Sequence, residues 1–169
     1  MPNRKIIFFL QDRSLVQPKP NLFDIAYLAA LLMLFSTVCT PAERLPTIEL
    51  RVGDQKIIVE TAANESSRTL GLMYREKPLA ENHGMLFVFT ASGFHSMWMR
   101  NTYIPLSVAF LDESGVILNI ADMVPLTTES HTAAGFAKYA LEMNQGWFAA
   151  HGLRAGAKVE GLAAAPAAQ

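Results

Sequence analysis

The sequence Met85-Leu86-Phe87-Val88-Phe89 decides the fold class, because it is apolar at every position. A strand with one face in water alternates apolar and polar residues, whereas an unbroken apolar run of this length indicates a strand covered on both faces. The whole chain is 51% hydrophobic and only 17% charged, so it holds enough apolar surface to offset the entropy of ordering. The run therefore predicts a central strand in a packed core.

The residues before this strand predict a β-hairpin and a short helix. Residues 47–52 and 56–60 are rich in β-branched side chains and flank Gly53-Asp54, which is typical of a hairpin turn. Asn64 can cap a helix that continues as far as Arg75. The glycine at position 71 lowers helix propensity, so we expect this helix to be short and held by packing.

The residues after it predict further short elements. We expect strands at residues 95–100, 107–111, 116–123, 138–143 and 157–162, a loop at residues 125–135, and a helix at residues 145–151. The second and third of these strands form a hairpin, since they flank a turn that contains Gly115. With about eight short strands and two short helices, the predicted fold class is mainly β, a compact sandwich or a partly closed barrel.

The N-terminal part of the chain has the pattern of a targeting segment. Residues 25–39, IAYLAALLMLFSTVC, carry no charge, and the 24 residues before them hold four basic and two acidic side chains. A basic leader before an apolar core is typical of a signal peptide, and this core is shorter than the ~20 residues of a spanning helix. We therefore predict an exported protein, either periplasmic or anchored in the membrane and facing the periplasm.

Three fates remain open for this segment, which we place at residues 1–42. Cys39, the only cysteine, stands where a bacterial lipoprotein is lipidated, although Val38 is larger than the residue usual at that point. Cleavage near residues 40–42 is the main alternative, and a retained anchor helix is the third. A single domain then covers residues 43–162, and the Ala/Pro-rich residues 163–169 are predicted to be a disordered tail.

The composition disfavours several classes of partner and chemistry. Residues 43–169 hold 10 basic and 13 acidic side chains with no basic block, so we expect no binding to nucleic acid. They contain no cysteine, which excludes a disulfide or a thiol nucleophile within them. The chain lacks the common catalytic and phosphate-binding motifs. We expect a monomer without a cofactor.

Four blocks, in order and spacing, resemble the signature of the bacterial and archaeal domain of unknown function 192. They are GLMYR at residues 71–75, GMLFVF at 84–89, WMRNTYIPL at 98–106, and Leu141-Glu142 before Gly146. The resemblance covers residues 47–162 and implies a compact, mainly β domain that often follows a signal peptide. It implies no activity, because none is established for the family. The family usually has an acidic residue after Ile-Pro-Leu, where this chain has Ser107.

The first candidate site comprises Trp98, Arg100, Asn101 and Thr102, with Arg75 as a further charged residue of the same signature. Strand alternation places Trp98 and Arg100 on one face, where a ring, a guanidinium and an amide can bind a sugar or small carboxylate. The structural alternative makes Asn101 and Thr102 turn formers and Trp98 a core residue. We favour a non-enzymatic binding module of the cell envelope, with carbohydrate as its leading ligand.

Glu142 is the candidate for catalysis. It lies among apolar residues of a predicted strand, so a buried Glu142 needs a partner, which Arg75 or Arg100 can supply. A structural ion pair is the favoured interpretation. The alternative is an enzyme, such as a hydrolase, that uses Glu142 as a general acid or base with a raised pKa.

A third interpretation is a Cu(I)-handling protein. His95, Met97 and Met99 alternate along one predicted strand, and thioethers with imidazole form a donor set that selects Cu(I). Methionine also fills gaps in apolar cores, and we favour core packing over a metal site.

Overall fold

The computed structural model describes residues 44–169, so the targeting segment predicted at residues 1–42 lies outside the described residues. The strands are β1 (Thr47–Val52), β2 (Gln55–Ala62), β3 (His83–Gly93), β4 (Ser96–Met97), β5 (Leu106–Leu111), β6 (Ile117–Met123), β7 (His131–Thr132), β8 (Ala137–Asn144) and β9 (Val159–Glu160). The helices are α1 (Glu65–Leu70) and α2 (Trp147–Ala150), with a 3-10 helix at Leu162–Ala164.

Seven of these strands form one curled sheet in the order β6-β5-β8-β3-β2-β1-β9. Strands β2 and β3 are parallel, and the other neighbours in this sheet are antiparallel. The curl brings the two ends of the sheet together, because Val116 at the start of β6 forms a β-bridge with Lys158 beside β9. The predicted mainly β class, in its partly closed barrel form, is confirmed.

A core cluster lies on each face of this sheet, because successive residues of a strand point to opposite sides. In β3, Leu86 and Val88 belong to the first core cluster, and Met85 and Phe87 belong to the second. All four are buried, and Phe87 is only 2% exposed. The prediction that this strand is covered on both faces is therefore confirmed.

The second core cluster is the one that positions the candidate site. Its buried members are Ala62, Leu72, Met85, Phe87, Met99, Ile104, Leu106, Val108, Phe110, Met123, Ala133, Ala137 and Ala140. Several of them come from outside the seven-stranded sheet, so the segments that follow α1 and β4 cover this face. Strands β4 and β7 form a separate two-stranded sheet within this cover.

Four elements differ from the sequence prediction. The loop predicted at residues 125–135 contains β7, and the strand predicted at residues 157–162 is regular only at β9. The predicted strand at residues 95–100 is regular only at β4, since the chain turns after Met97. Helix α1 begins after a capping box at Asn64, as predicted, but ends at Gly71, whose φ of 47° is unsuited to other residues.

The tail also differs, since residues 163–169 are ordered where the sequence predicts disorder. Ala165 and Ala168 pack against the first core cluster. The backbone of Gln169 donates to the Ala63 carbonyl at 2.8 Å and accepts from the Arg68 guanidinium at 2.8 Å. The alanine side chains and the backbone of this segment therefore pack against the domain.

Candidate functional site

Strand β8 places the Glu142 carboxyl group in apolar surroundings. Its pairing sets Glu142 opposite Met85 of β3 and Val108 of β5, both fully buried members of the second core cluster. Glu142 itself is only 3% exposed. A titratable side chain in the middle of a three-stranded ladder is costly to charge, and such groups cluster at functional sites.

A cavity of about 230 Å³ reaches Glu142 from the surface, and we call it the Glu142 cavity. Its apolar lining residues are Leu70, Gly71, Leu72, Met73, Phe87, Phe89, Met97 and Trp98. Its polar lining residues are Glu65, Arg68, Thr69, Ser96, Thr102 and Glu142. Apolar and polar groups contribute about equally to this lining, so the cavity can offer a small ligand both apolar contact and hydrogen-bonding partners.

Burial raises the pKa of Glu142 from its ordinary value of 4.5 to about 8. Within residues 44–169, no salt bridge involves Glu142 that would favour its charged form. At neutral pH Glu142 is therefore mainly a neutral carboxylic acid, which can donate a hydrogen bond or a proton into the cavity.

The predicted binding residues divide between this cavity and its surroundings. Trp98 and Thr102 both line the cavity; Thr102 is buried, whereas Trp98 is 51% exposed and stands at the surface. The Arg100 guanidinium lies 6.0 Å from the centre of the Trp98 ring but is not part of the cavity lining. A side chain that is half exposed does not fill the core, so the interpretation of Trp98 as a core residue is wrong.

Asn101 shapes the loop beside the cavity. Its φ is 56°, a left-handed conformation that asparagine tolerates better than most residues. Its side-chain amide donates to the Tyr74 hydroxyl at 3.1 Å, and its carbonyl accepts from the Tyr74 backbone at 2.8 Å. Asn101 thus links its own loop to the loop that carries Tyr74.

Arg75 is not the partner of Glu142. Its guanidinium donates to both carboxylate oxygens of Glu60, at 2.7 and 2.6 Å, away from the Glu142 cavity. The predicted Arg75–Glu142 ion pair is therefore wrong. Arg75 lies on the loop after α1, which turns its side chain toward β2 rather than toward β8.

Sequence reasoning missed two charged residues of the cavity, Glu65 and Arg68. Arg68 is fixed by hydrogen bonds to the carbonyls of Ala63, Val88 and Gln169. The two residues stand three positions apart on α1, and that spacing places side chains on one helix face. The Asn64 cap sets the start of the helix, and from that start the sequence could have placed Glu65 and Arg68 on the same helix face.

Comparison with known proteins agrees with this architecture. The model of the DUF192 family, described as an uncharacterized ACR, matches residues 48–161. The chain belongs to the DUF192 family. No curated protein gives a significant match to it.

Two solved structures are similar to this DUF192 chain. One, from Sinorhizobium meliloti 1021, is provisionally described as a transcription regulator; it is 32% identical, with a TM-score of 0.68 over 72% of this chain and 98% of that one. The other is a protein of unknown function from Novosphingobium aromaticivorans DSM 12444, 31% identical, with a TM-score of 0.66 over 72% of this chain and 90% of that one.

Ser107 stands where the resemblance predicts an acidic residue of a DUF192 chain. Ser107 is buried, donates its hydroxyl hydrogen to the Asp122 carboxylate, and accepts a hydrogen bond from the Gly146 backbone at 2.9 Å. Asp122 stands opposite Ser107 in the β5–β6 pairing. A carboxylate is thus still present beside position 107, but it comes from the neighbouring strand.

The predicted Cu(I) ligands of this DUF192 domain have different surroundings. The His95 ring stacks on Phe89 at 3.7 Å, and its Nε2 lies 2.8 Å from the Ala91 carbonyl oxygen. Met97 lines the Glu142 cavity, whereas Met99 is buried in the second core cluster. In the described part of the chain, no three His, Cys, Asp or Glu side chains are grouped to hold a metal. The His95, Met97 and Met99 set remains a prediction.

The DUF192 domain itself supplies no spanning helix. Among residues 44–169, no helix is both long and apolar enough to cross a membrane.

Proposed function

We propose that this domain is a binding module for a small hydroxylated ligand, with a single sugar unit as the leading candidate. The observation that carries the proposal is the exposed Trp98 ring, which lines the same cavity as the buried Glu142. Sugar rings stack their C–H face on aromatic side chains, and their hydroxyl groups need hydrogen-bonding partners at the edge.

The polar groups of the Glu142 cavity suit a neutral ligand better than a charged one. Glu142 is protonated at neutral pH, and Thr102 and Ser96 carry hydroxyls that donate and accept. Arg68 is the cation of the lining, and its guanidinium already donates to three carbonyls. A small carboxylate, which needs a free bidentate cation, is therefore the second choice.

Isothermal titration of the domain with monosaccharides and small carboxylates tests this proposal. Trp98→Ala removes the stacking surface and is expected to weaken sugar binding by about fivefold or more, since stacked aromatic contacts contribute ~1 kcal/mol beyond burial. Tyr103→Ala is the matched control, because Tyr103 is similarly exposed at 47% but does not line the cavity. Equal losses in both variants, or no binding by the wild type, overturn the proposal.

A second candidate function is hydrolysis of a glycosidic or similar bond. It is favoured by one observation: Glu142, with its pKa raised to about 8, shares a cavity with Glu65, a carboxyl group at the exposed end of α1. Two carboxyl groups in unlike environments can act as general acid and base. In that reaction Glu142 protonates the leaving oxygen while Glu65 takes a proton from the attacking water.

Chromogenic glycosides distinguish the two candidates. An enzyme releases the chromophore, and both Glu142→Gln and Glu65→Gln abolish the release. A binding module shows no turnover with any substrate, and Glu65→Gln leaves its affinity for the sugar nearly unchanged because Glu65 lies at the rim.

We also propose that the protein acts outside the cytoplasm. The support is the sequence of residues 1–42, whose basic leader and uncharged core have the pattern of an export signal. The ligand is then a component of the cell envelope.

A further inference from the structure

Large apolar side chains are exposed on three neighbouring segments, which are the end of α1 with the loop after it at residues 70–75 and two loops at residues 98–104 and 124–127. We call this the loop surface; it comprises Leu70, Tyr74, Trp98, Tyr103, Val124 and Leu126, each between 47% and 60% exposed. Of the large hydrophobic residues that are exposed within residues 44–169, these six are the majority. A monomeric protein rarely concentrates such residues without a binding role.

Backbone hydrogen bonds hold the three loops together. The Tyr74 amide donates to Asn101, the Leu126 amide donates to Thr102 at 3.1 Å, and the Met99 amide donates to Thr127 at 3.2 Å. Loops of this kind usually leave their polar backbone groups to water. Here many of those groups are already paired, so the free-energy cost of moving the surface into an apolar medium is reduced.

The exposed side chains are held in costly backbone conformations. Tyr74 has a φ of 64° and Leu126 a φ of 62°, in the left-handed region that glycine or asparagine normally occupies. The Leu126 side chain is 59% exposed and gains little from packing within the domain, so the contacts that hold its backbone are the inter-loop hydrogen bonds rather than burial of the side chain. Strain of this kind is typical of functional segments.

The charge of the loop surface indicates the chemistry of its partner. The three loops contain Arg75 and Arg100 but no acidic residue. Arg75 is paired with Glu60, whereas Arg100 is exposed beside Trp98. Tryptophan, tyrosine and an accompanying arginine are the residues that prefer the headgroup region of a bilayer, with aliphatic side chains reaching below it.

We propose that the loop surface docks onto the headgroup region of a bilayer that contains anionic phospholipids. The proposal does not depend on the ligand of the Glu142 cavity. Chain length supports it: Leu45 packs against the second core cluster, on the face that carries the loops, and five residues separate it from Cys39. The six steps along the chain from Cys39 to Leu45 span at most about 21 Å, so a tether near Cys39 keeps this face close to the membrane.

Vesicle flotation of residues 43–169 tests the docking without the targeting segment. The domain can be used alone, because it corresponds to nearly the whole of the similar Sinorhizobium meliloti chain. Vesicles contain three parts phosphatidylethanolamine to one part phosphatidylglycerol, and the controls are phosphatidylcholine alone and high salt. We expect binding to the anionic vesicles, weaker binding to neutral vesicles, and weakening by salt.

Leu126→Asn is the decisive variant. Asparagine tolerates the left-handed conformation and removes the apolar side chain, so the fold is kept or stabilised while affinity for vesicles falls about tenfold. Ile58→Thr is the matched control, since Ile58 is 45% exposed on β2, outside the loop surface. Trp98 fluorescence adds a depth readout: its emission shifts to the blue on vesicles, and Trp98→Phe, which keeps buried Trp147, shows no shift.

Three results overturn the proposal. They are failure to float with anionic vesicles, equal loss of binding in Leu126→Asn and Ile58→Thr, and self-association of the wild type that Leu126→Asn abolishes. The last result assigns the loop surface to contacts between copies of the chain. Loss of sugar binding with intact flotation, by contrast, rejects only the function proposed for the Glu142 cavity.

Discussion

Arg75 and Glu60 form a two-pronged salt bridge, with nitrogen–oxygen distances of 2.7 and 2.6 Å. This pairing engages one of the two arginines that the sequence offered as partners for Glu142. Glu142 is then left among apolar neighbours, and burial keeps it protonated near neutral pH.

Glu142 is expected to make stability depend on pH. Its pKa is raised from 4.5 to about 8 on folding, so the folded state binds the proton more tightly than the unfolded state. Its contribution is fully present below pH 4.5 and is lost as the pH rises through about 8. Melting temperatures measured across this window should fall for the wild type and stay nearly level for Glu142→Gln.

The control for this effect is Arg75→Ala. The Arg75–Glu60 pair is about one-third exposed, so its loss should cost only about 1 kcal/mol. That loss should leave the slope of stability against pH unchanged between pH 5 and 8. Parallel curves for the wild type and Glu142→Gln would show that Glu142 is ionised in the fold.

Phe87 is expected to be one of the costliest core positions. It is 2% exposed, and a Cβ built at Gly71 would lie only 3.1 Å from its ring, so packing around the ring is tight. Phe87→Ala should lower the free energy of unfolding by ~3–5 kcal/mol. Urea denaturation measures this directly, and an unchanged midpoint would contradict the packing described here.

The sequence predicted the sheet well because its signals are local. The unbroken run at β3 and the alternation in β1 and β2 follow from which faces are buried, and neighbouring residues reveal that directly. The hairpins were found from their turns, and the cap at Asn64 gave the start of α1. The order of β8 and β5 beside β3 was not predictable in this way, since those pairings join distant segments.

The candidate site was predicted only in part, for the same physical reason. The prediction that Trp98 and Arg100 share a face assumed that the strand continues past Met97. In the structure β4 ends at Met97, so the alternation of side chains along a strand does not apply to these two residues. The cavity joins α1, β8 and the loop after β4, and only tertiary packing brings those segments together. The sequence indicates Glu142 and Trp98 as separate candidates, but it does not predict that they line the same cavity.

Export is expected to place the domain outside the cytoplasm. The basic leader and the uncharged core at residues 25–39 predict that fractionation finds the protein in the periplasm or on a membrane. Labelling with a lipid precursor, compared between the wild type and Cys39→Ala, separates lipidation from simple cleavage. Full-length soluble protein in the cytoplasm would reject the targeting prediction.

Substitution of Arg100 tests whether the ligand binds in the Glu142 cavity or on the exposed face of Trp98. Arg100 is exposed and has no part in the cavity lining, so Arg100→Ala should lower the melting temperature by no more than a few degrees. The Arg100 guanidinium lies 6.0 Å from the centre of the Trp98 ring, which is a contact within the domain and not a contact to a ligand in the cavity. For the sugar that binds most tightly in calorimetry, Arg100→Ala should therefore leave the affinity within about twofold of the wild type, whereas Trp98→Ala weakens it more. If Arg100→Ala abolishes binding at unchanged stability while Thr102→Val has no effect, the ligand lies on the outer face of Trp98 beside Arg100. The Glu142 cavity is then not the binding site.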